Sequence, residues 1–304
     1  MIPLAAVIAA ATAAGFAAEH RMGERADRLA RRVMWLVLWV LLPPVTFFNI
    51  AALDLTVRVG AGVAFAYTAL LAVLSAAYVV GTRVLRLPRP QVGALMVASG
   101  LANTGYLGLP FSAALFGLDE LPSAVAYDIV VSGLALVTIG FSIGAAFGTV
   151  AERPGERVAT FFTRNPPLWA CAAGFLAPAA LAPDWAVDAS RLLVFAVLPL
   201  GCFAVGVTLA AESEEGQLPF PPPLTPAVSV ALGLKLLLAP AVVLALSTLV
   251  LKVPDSYLSQ AAMASAINGI VIAHEYGLDR GLVAAAIAWS TAVVVAAGLL
   301  LALL

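Results

Sequence analysis

Apolar and polar positions fall in long blocks along this chain, without the short period of a half-buried strand. Ten apolar runs stand out, at about 2–18, 33–53, 59–82, 91–117, 121–150, 165–183, 187–211, 226–251, 256–278 and 281–304. A helix of roughly 17–25 apolar residues crosses a hydrocarbon core about 30 Å thick. An open sheet cannot, because its edge groups stay unpaired in lipid. The pattern predicts an all-α integral membrane protein with ten transmembrane helices, short connections and no soluble domain. The first run is short, and its nearest arginines (Arg21, Arg25, Arg28) follow it. A cleaved signal peptide carries its positive charge ahead of the apolar stretch, so a retained span is expected.

Composition narrows the class further. Of 304 residues, 62% are hydrophobic and 11% charged, against about 25% charged in an average soluble domain. The mean hydropathy of +1.03 makes lipid the main surroundings. A net charge of −1 supplies no basic field for nucleic acid. Cys171 and Cys202 lie in apolar runs and form no disulfide or zinc pattern. A soluble enzyme, a nucleic-acid binder and a secreted disulfide scaffold are excluded, and no cofactor or metal is expected.

Basic residues set the expected orientation. Odd-numbered loops hold Arg21, Arg25, Arg28, Arg31, Arg32, Arg83, Arg86, Arg89, Arg153, Arg157, Arg164 and Arg280. Even-numbered loops hold Arg58, Arg191 and Lys252. This asymmetry places the odd loops in the cytoplasm and both termini outside it, in a plasma (inner) membrane. The loop at 212–226, with Glu212, Glu214, Glu215 and no base, is the exception.

Ten spans divide into two sets of five, 1–150 and 165–304, with a short cytoplasmic linker at 151–164. An odd number per half turns the second half over, and an inverted repeat is a signature of secondary transporters. Leu41-Leu42-Pro43-Pro44 in span 2 is answered by Val197-Leu198-Pro199-Leu200 in span 7. Ala98-Ser99-Gly100-Leu101-Ala102-Asn103 in span 4 is answered by Ala264-Ser265-Ala266-Ile267-Asn268-Gly269 in span 9. Gly117-Leu118-Asp119 and Gly277-Leu278-Asp279 follow, then helices carrying Ser132 and Ser290.

Span 4 holds Asn103-Thr104-Gly105-Tyr106-Leu107-Gly108-Leu109-Pro110. Proline inside a helix costs about 3 kcal/mol and each glycine about 1 kcal/mol against alanine. In lipid such a cluster survives where protein or a water-filled cavity satisfies the freed backbone. A discontinuous helix is predicted, one half ending near Asn103 and the other starting near Pro110. Asn268-Gly269 marks the matching point of span 9. Half-helix N-termini present unpaired N–H groups and partial positive charge, so two of them near the midplane would form an anion site. Asn103, Thr104, Gly105, Pro110, Asn268 and Gly269 are the candidate substrate-binding residues.

These motifs resemble the hallmark of the bacterial auxin efflux carrier family, within the bile/arsenite/riboflavin-type transporter superfamily. Leu41-Leu42-Pro43, Asn165-Pro166-Pro167, Lys235-Leu236-Leu237-Leu238-Ala239-Pro240, Ala273-His274-Glu275-Tyr276-Gly277-Leu278-Asp279 and Ser290-Thr291 extend the likeness along the chain. The resemblance implies two inverted five-helix repeats with crossed broken helices 4 and 9. It implies a scaffold from spans 1, 2, 6 and 7, a transport domain from spans 3–5 and 8–10, a homodimer and elevator-type exchange. It also implies a small organic anion as substrate, a mono- or dicarboxylate such as malonate or an auxin-like acid. The chain departs from the family at Ala264, where a proline is usual, so a softer break is expected in span 9. It also has no long insert at 151–164.

Four ionisable residues fall inside apolar runs: Asp128, Lys235, His274 and Glu275. A charge at the bilayer centre costs about 2.5–3.5 kcal/mol on insertion scales and should face protein or water. They are coupling or countercharge candidates, with proton or sodium as the coupling ion. Lys235 could instead snorkel to the interface, and His274 could be a bonded structural residue. Pro43, Pro44, Pro199 and Pro240 read as hinges or kinks. The alternatives are a sodium-coupled organic-anion symporter of bile-acid-transporter type, or a channel. An intramembrane enzyme would need a nucleophile–base or metal motif, and neither is present.

Overall fold

The computed structural model describes residues 2–54, 56–149, 166–216, 219 and 221–301. The expected linker 151–164, with Arg153, Arg157 and Arg164, and Asn165 lie outside the described residues. The described residues are helical and contain no strand. Six helices are long and apolar enough to cross a membrane: Glu24–Ala51, Val57–Val84, Leu118–Phe147, Asp184–Glu214, Pro226–Leu249 and Arg280–Leu300.

In chain order, α1 is Ile2–Met22, α2 Glu24–Leu36, α3 Leu42–Ala51, α4 Val57–Val79, α5 Arg89–Gly100 and α6 Leu109–Phe116. Then come α7 Leu121–Tyr127, α8 Phe141–Phe147, α9 Pro166–Leu176, α10 Asp184–Glu214, α11 Pro226–Gly233 and α12 Ala239–Leu249. Last are α13 Asp255–Ala261, α14 Asn268–Tyr276 and α15 Arg280–Leu301. Several of the long helices contain turns wound with wider, π-type bonds, at Val37–Leu41, Asp128–Gly133, Leu136–Gly140 and Leu234–Leu238.

Helix ends follow local chemistry. The Thr56 and Thr225 hydroxyls accept from Val59 N and Val228 N and cap α4 and α11. Asp279 Oδ1 accepts from Leu282 N, 2.8 Å, at the start of α15. Gly277, at φ 67°, ends α14 in the left-handed region that glycine tolerates. Pro43 and Pro44 follow the π-type turn Val37–Leu41 within the long helix Glu24–Ala51, and Pro240 follows the turn Leu234–Leu238 within Pro226–Leu249; such wider turns accommodate an interruption of the regular bonding. Pro199 lies inside α10.

Two packing groups emerge. In one, α1 lies along α10, α9 packs on α3, and α10 also meets α2 and α3. In the other, α5 packs on α4, α8, α11 and α15, while α4 meets α12 and α15 meets α11 and α14. The largest apolar cluster, from Leu70 through Leu95 and Leu101 to Ile287, belongs mainly to the second group. Trp35 and Trp39 stack with centroids 6.3 Å apart and are exposed, as suits a lipid-facing or interfacial surface.

Candidate functional site

The site begins where two helices stop. α5 ends at Gly100, and Leu101 turns extended at φ −86°, ψ 136°. Helical winding resumes at Thr104, earlier than the Pro110 restart expected from proline placement, as a π-type turn over Thr104–Gly108 that leads into α6. Residues 262–267 likewise separate α13 from α14. The two gaps meet as an antiparallel bridge between Ala102 and Ser265. Asn103 N donates to Ala264 O (2.8 Å), and Ala266 N donates to Leu101 O (3.1 Å).

This exchange satisfies backbone groups that the interruption frees, as burial demands. Serines add to it. Ser265 Oγ donates to Ala98 O (2.6 Å), and Ser265 N donates to Ser290 Oγ (3.0 Å). Ala264 allows the gap without a proline, since the paired backbone itself holds the non-helical geometry. Counting from the bridge, Asn103 follows Ala102 by one residue and Asn268 follows Ser265 by three. The two amides are thus offset: Asn103 is buried and Asn268 is exposed.

A cavity of about 160 Å³ opens beside this meeting point. Asn103, Thr104, Gly105, Asp128, Lys235 and Asn268 all line it. Thr104 Oγ1 donates to Asp128 Oδ1 (2.5 Å). Gly105 allows the close approach of that carboxylate, because a Cβ there would lie 3.3 Å from Asp128 Oδ2. Lys235 is 3% exposed and faces the cavity without an ion-pair or hydrogen-bond partner among the described residues. Burial in this position is inconsistent with snorkelling. Thr104, Asp128 and Lys235 each sit on a π-type turn, a winding that often marks functional positions in helices.

The remaining candidates lie elsewhere. Pro110 is buried in the first turn of α6, and Gly269 packs near Val283 and Val97. His274 is exposed and Glu275 half-buried on α14, outside the cavity lining. Pro43, Pro44, Pro199 and Pro240 are also outside it. Sequence reasoning passed over Tyr106, Tyr127 and Ser99, which do line it. Tyr106 lies in the quoted Asn103–Pro110 motif and packs on Gly201 of α10, where a Cβ would fall 2.7 Å from the tyrosine Cβ. Ser132, noted as a repeat marker, is a lining residue too. Among the described residues no group of His, Cys, Asp or Glu side chains has the arrangement to hold a metal ion.

A transporter of Methanothermobacter thermautotrophicus, described as uncharacterized, is 30% identical over 205 residues, covering 65% of this chain and 63% of its own. The uncharacterized transporter MJ1031 of Methanocaldococcus jannaschii is 34% identical over 73 residues, 24% of this chain and 23% of its own. The chain thus spans less than two thirds of the length of either relative in these matches. The family described as membrane transport protein matches residues 1–159 and 162–301. The described residues hold six helices long and apolar enough to cross a membrane, in keeping with a family of that description. Matched over nearly its whole length, the chain belongs to the membrane transport protein family, the auxin efflux carrier family that its motifs resemble.

Proposed function

We propose that this protein is a secondary carrier of a small organic anion, bound in the cavity beside the Ala102–Ser265 bridge. The observation that carries the reading is the convergence of Asn103, Asn268 and an unpaired, buried Lys235 on one cavity next to two interrupted helices. Amides and an ammonium bind a carboxylate by hydrogen bonds and charge. The cavity volume suits a small acid such as malonate or an auxin-like monocarboxylate.

In this reading α5 with α6, and α13 with α14, are two broken spans of a ten-span protein. The repeats are 1–150 and 165–304, inverted about the crossing. The α1–α3, α9 and α10 group is the scaffold and the other group moves against it, elevator-fashion, in a homodimer. Asp128, bonded to Thr104, is the proposed coupling group for a proton or sodium. The odd-numbered loops face the cytoplasm and both termini lie outside it.

The test is exchange of labelled malonate and of an auxin-like acid by purified protein in proteoliposomes. Asn103→Ala and Asn268→Ala are each expected to weaken binding and exchange. Unchanged binding and exchange in both variants would refute the site. Imposed pH and sodium gradients separate the couplings: acceleration by one gradient alone identifies its ion. Saturation and counterflow distinguish a carrier from a channel.

A further inference from the structure

We propose that the first turns of α2 form a docking face for acidic phospholipid headgroups, held by Arg25, Arg28 and Arg32 and bounded on the hydrocarbon side by Trp35 and Trp39. None of these residues lines the cavity, and the face does not depend on what the cavity binds.

Length sets its position. Glu24–Ala51 is a helical stretch of 28 residues, about 42 Å at 1.5 Å per residue, against a hydrocarbon core about 30 Å thick. Its charges end at Arg32. Residues 33–51 carry none and, at about 28 Å, nearly fill the core by themselves. Residues 24–32 therefore stand in the headgroup layer. Trp35 and Trp39, exposed and stacked on each other, follow at the depth where tryptophan collects.

The helix has two unlike sides. Ala26 and Ala30 are buried against Ala204 and Val207 of α10. Arg25, Arg28, Arg32, Leu36 and Trp39 follow one another at three- and four-residue steps, so they share a side away from that contact. All five are exposed.

The chain's own acids do not neutralise this side. Arg31 pairs with Asp27, and Arg28 reaches Glu24 at 3.2 Å in a pair open to solvent. Such exposed pairs contribute little. Arg25 and Arg32 have no ion-pair or hydrogen-bond partner among the described residues. Arg25 and Arg28 also lie at the start of a helix, where the dipole disfavours a cation and favours an anion. A guanidinium grips phosphate oxygens through two parallel donors, and a basic segment beside a span is drawn to acidic lipid. A phosphate held at the membrane surface supplies the charge that the chain leaves out.

The two tryptophans report on the lipid beside them. Full-length protein is placed in mixed phosphatidylcholine–phosphatidylglycerol vesicles in which one lipid or the other carries bromine, a quencher of tryptophan fluorescence. The quenching lost in Trp35→Phe with Trp39→Phe belongs to these two rings. Brominated phosphatidylglycerol should quench them well beyond its share of the mixture. Arg25→Gln with Arg32→Gln should lower that preference at least about fivefold, and glutamine is close to arginine in helix propensity. Arg25→Gln alone should shift it in the same direction and serves if the double variant folds poorly. Arg83→Gln with Arg86→Gln removes the same charge from another loop and should leave the preference unchanged. Quenching in proportion to the mixture, or equal losses from both pairs of arginines, overturns the proposal. So does displacement by soluble glycerol phosphate, which would assign the face to free phosphate. Quenching by neither lipid would mean that a second copy of the chain covers the face, and overturns it as well.

Discussion

Lys235 gives the cavity a positive charge that no neighbouring carboxylate neutralises within ion-pair distance among the described residues. An unpaired buried ammonium is unfavourable on its own and is offset when an anion binds. Lys235→Met is therefore expected to weaken malonate binding by at least about tenfold, the equivalent of about 1.4 kcal/mol. The same variant should melt at a higher temperature without ligand and lose the ligand-induced rise in Tm. A thermal-shift titration checks both signs at once, and a lower apo Tm with intact binding would count against the role. Gly105 tests the neighbouring carboxylate. An added Cβ meets Asp128 Oδ2 at 3.3 Å and Oδ1 at 3.4 Å, so Gly105→Ala should push Asp128 off Thr104 and reduce exchange. Gly60 in α4 has open space around it. Gly60→Ala should leave exchange unchanged and stabilise the protein by up to about 1 kcal/mol through helix propensity.

Among the elements, the interruption at residues 101–103 is the one that sequence chemistry marks most plainly. Asparagine, two glycines and a proline within eight residues cannot form an unbroken apolar helix without cost. Winding resumes before Pro110 because a π-type turn at Thr104–Gly108 accommodates Gly105 and Gly108. The internal repeat marks Ala264–Gly269 as the matching segment, but the register of the Ala102–Ser265 bridge, between residues far apart in the chain, is not legible in the sequence. Nor does the repeat show that Asn103 and Asn268 are offset about that bridge. Lys235 could be flagged as an intramembrane charge, but which wall it faced depended on the packing of α11 and α12. The crossing itself predicts a stability effect. Ser290→Ala removes the acceptor for Ser265 N, a buried donor, and should cost about 1–3 kcal/mol. Chemical or thermal unfolding in detergent measures it, and a change within error would mean that another group or water takes over the bond.

Across the whole molecule, close helix packing must come from shape, because lipid tails are as apolar as leucine and provide no hydrophobic drive between helices. The contact between α1 and α10 shows how it is done. A Cβ at Gly15 would lie 3.0 Å from Val207 N, and one at Gly206 would lie 2.9 Å from Phe16 N. Each glycine lets the other helix's backbone in, so the pair is complementary in both directions. Neither residue touches the cavity. Gly206→Val should therefore force the helices apart, at a cost of about 1–3 kcal/mol from overpacking, while Asn103, Asn268 and Lys235, the polar residues of the proposed site, lie on the other group and keep their geometry. The expected result is a lower Tm with malonate affinity per folded protein unchanged. Affinity measured on the folded fraction after size-exclusion separation checks this. A loss of affinity matching that of Asn103→Ala would mean that the two packing groups are one mechanical unit, and a carrier in which one moves against the other would then lose its structural basis.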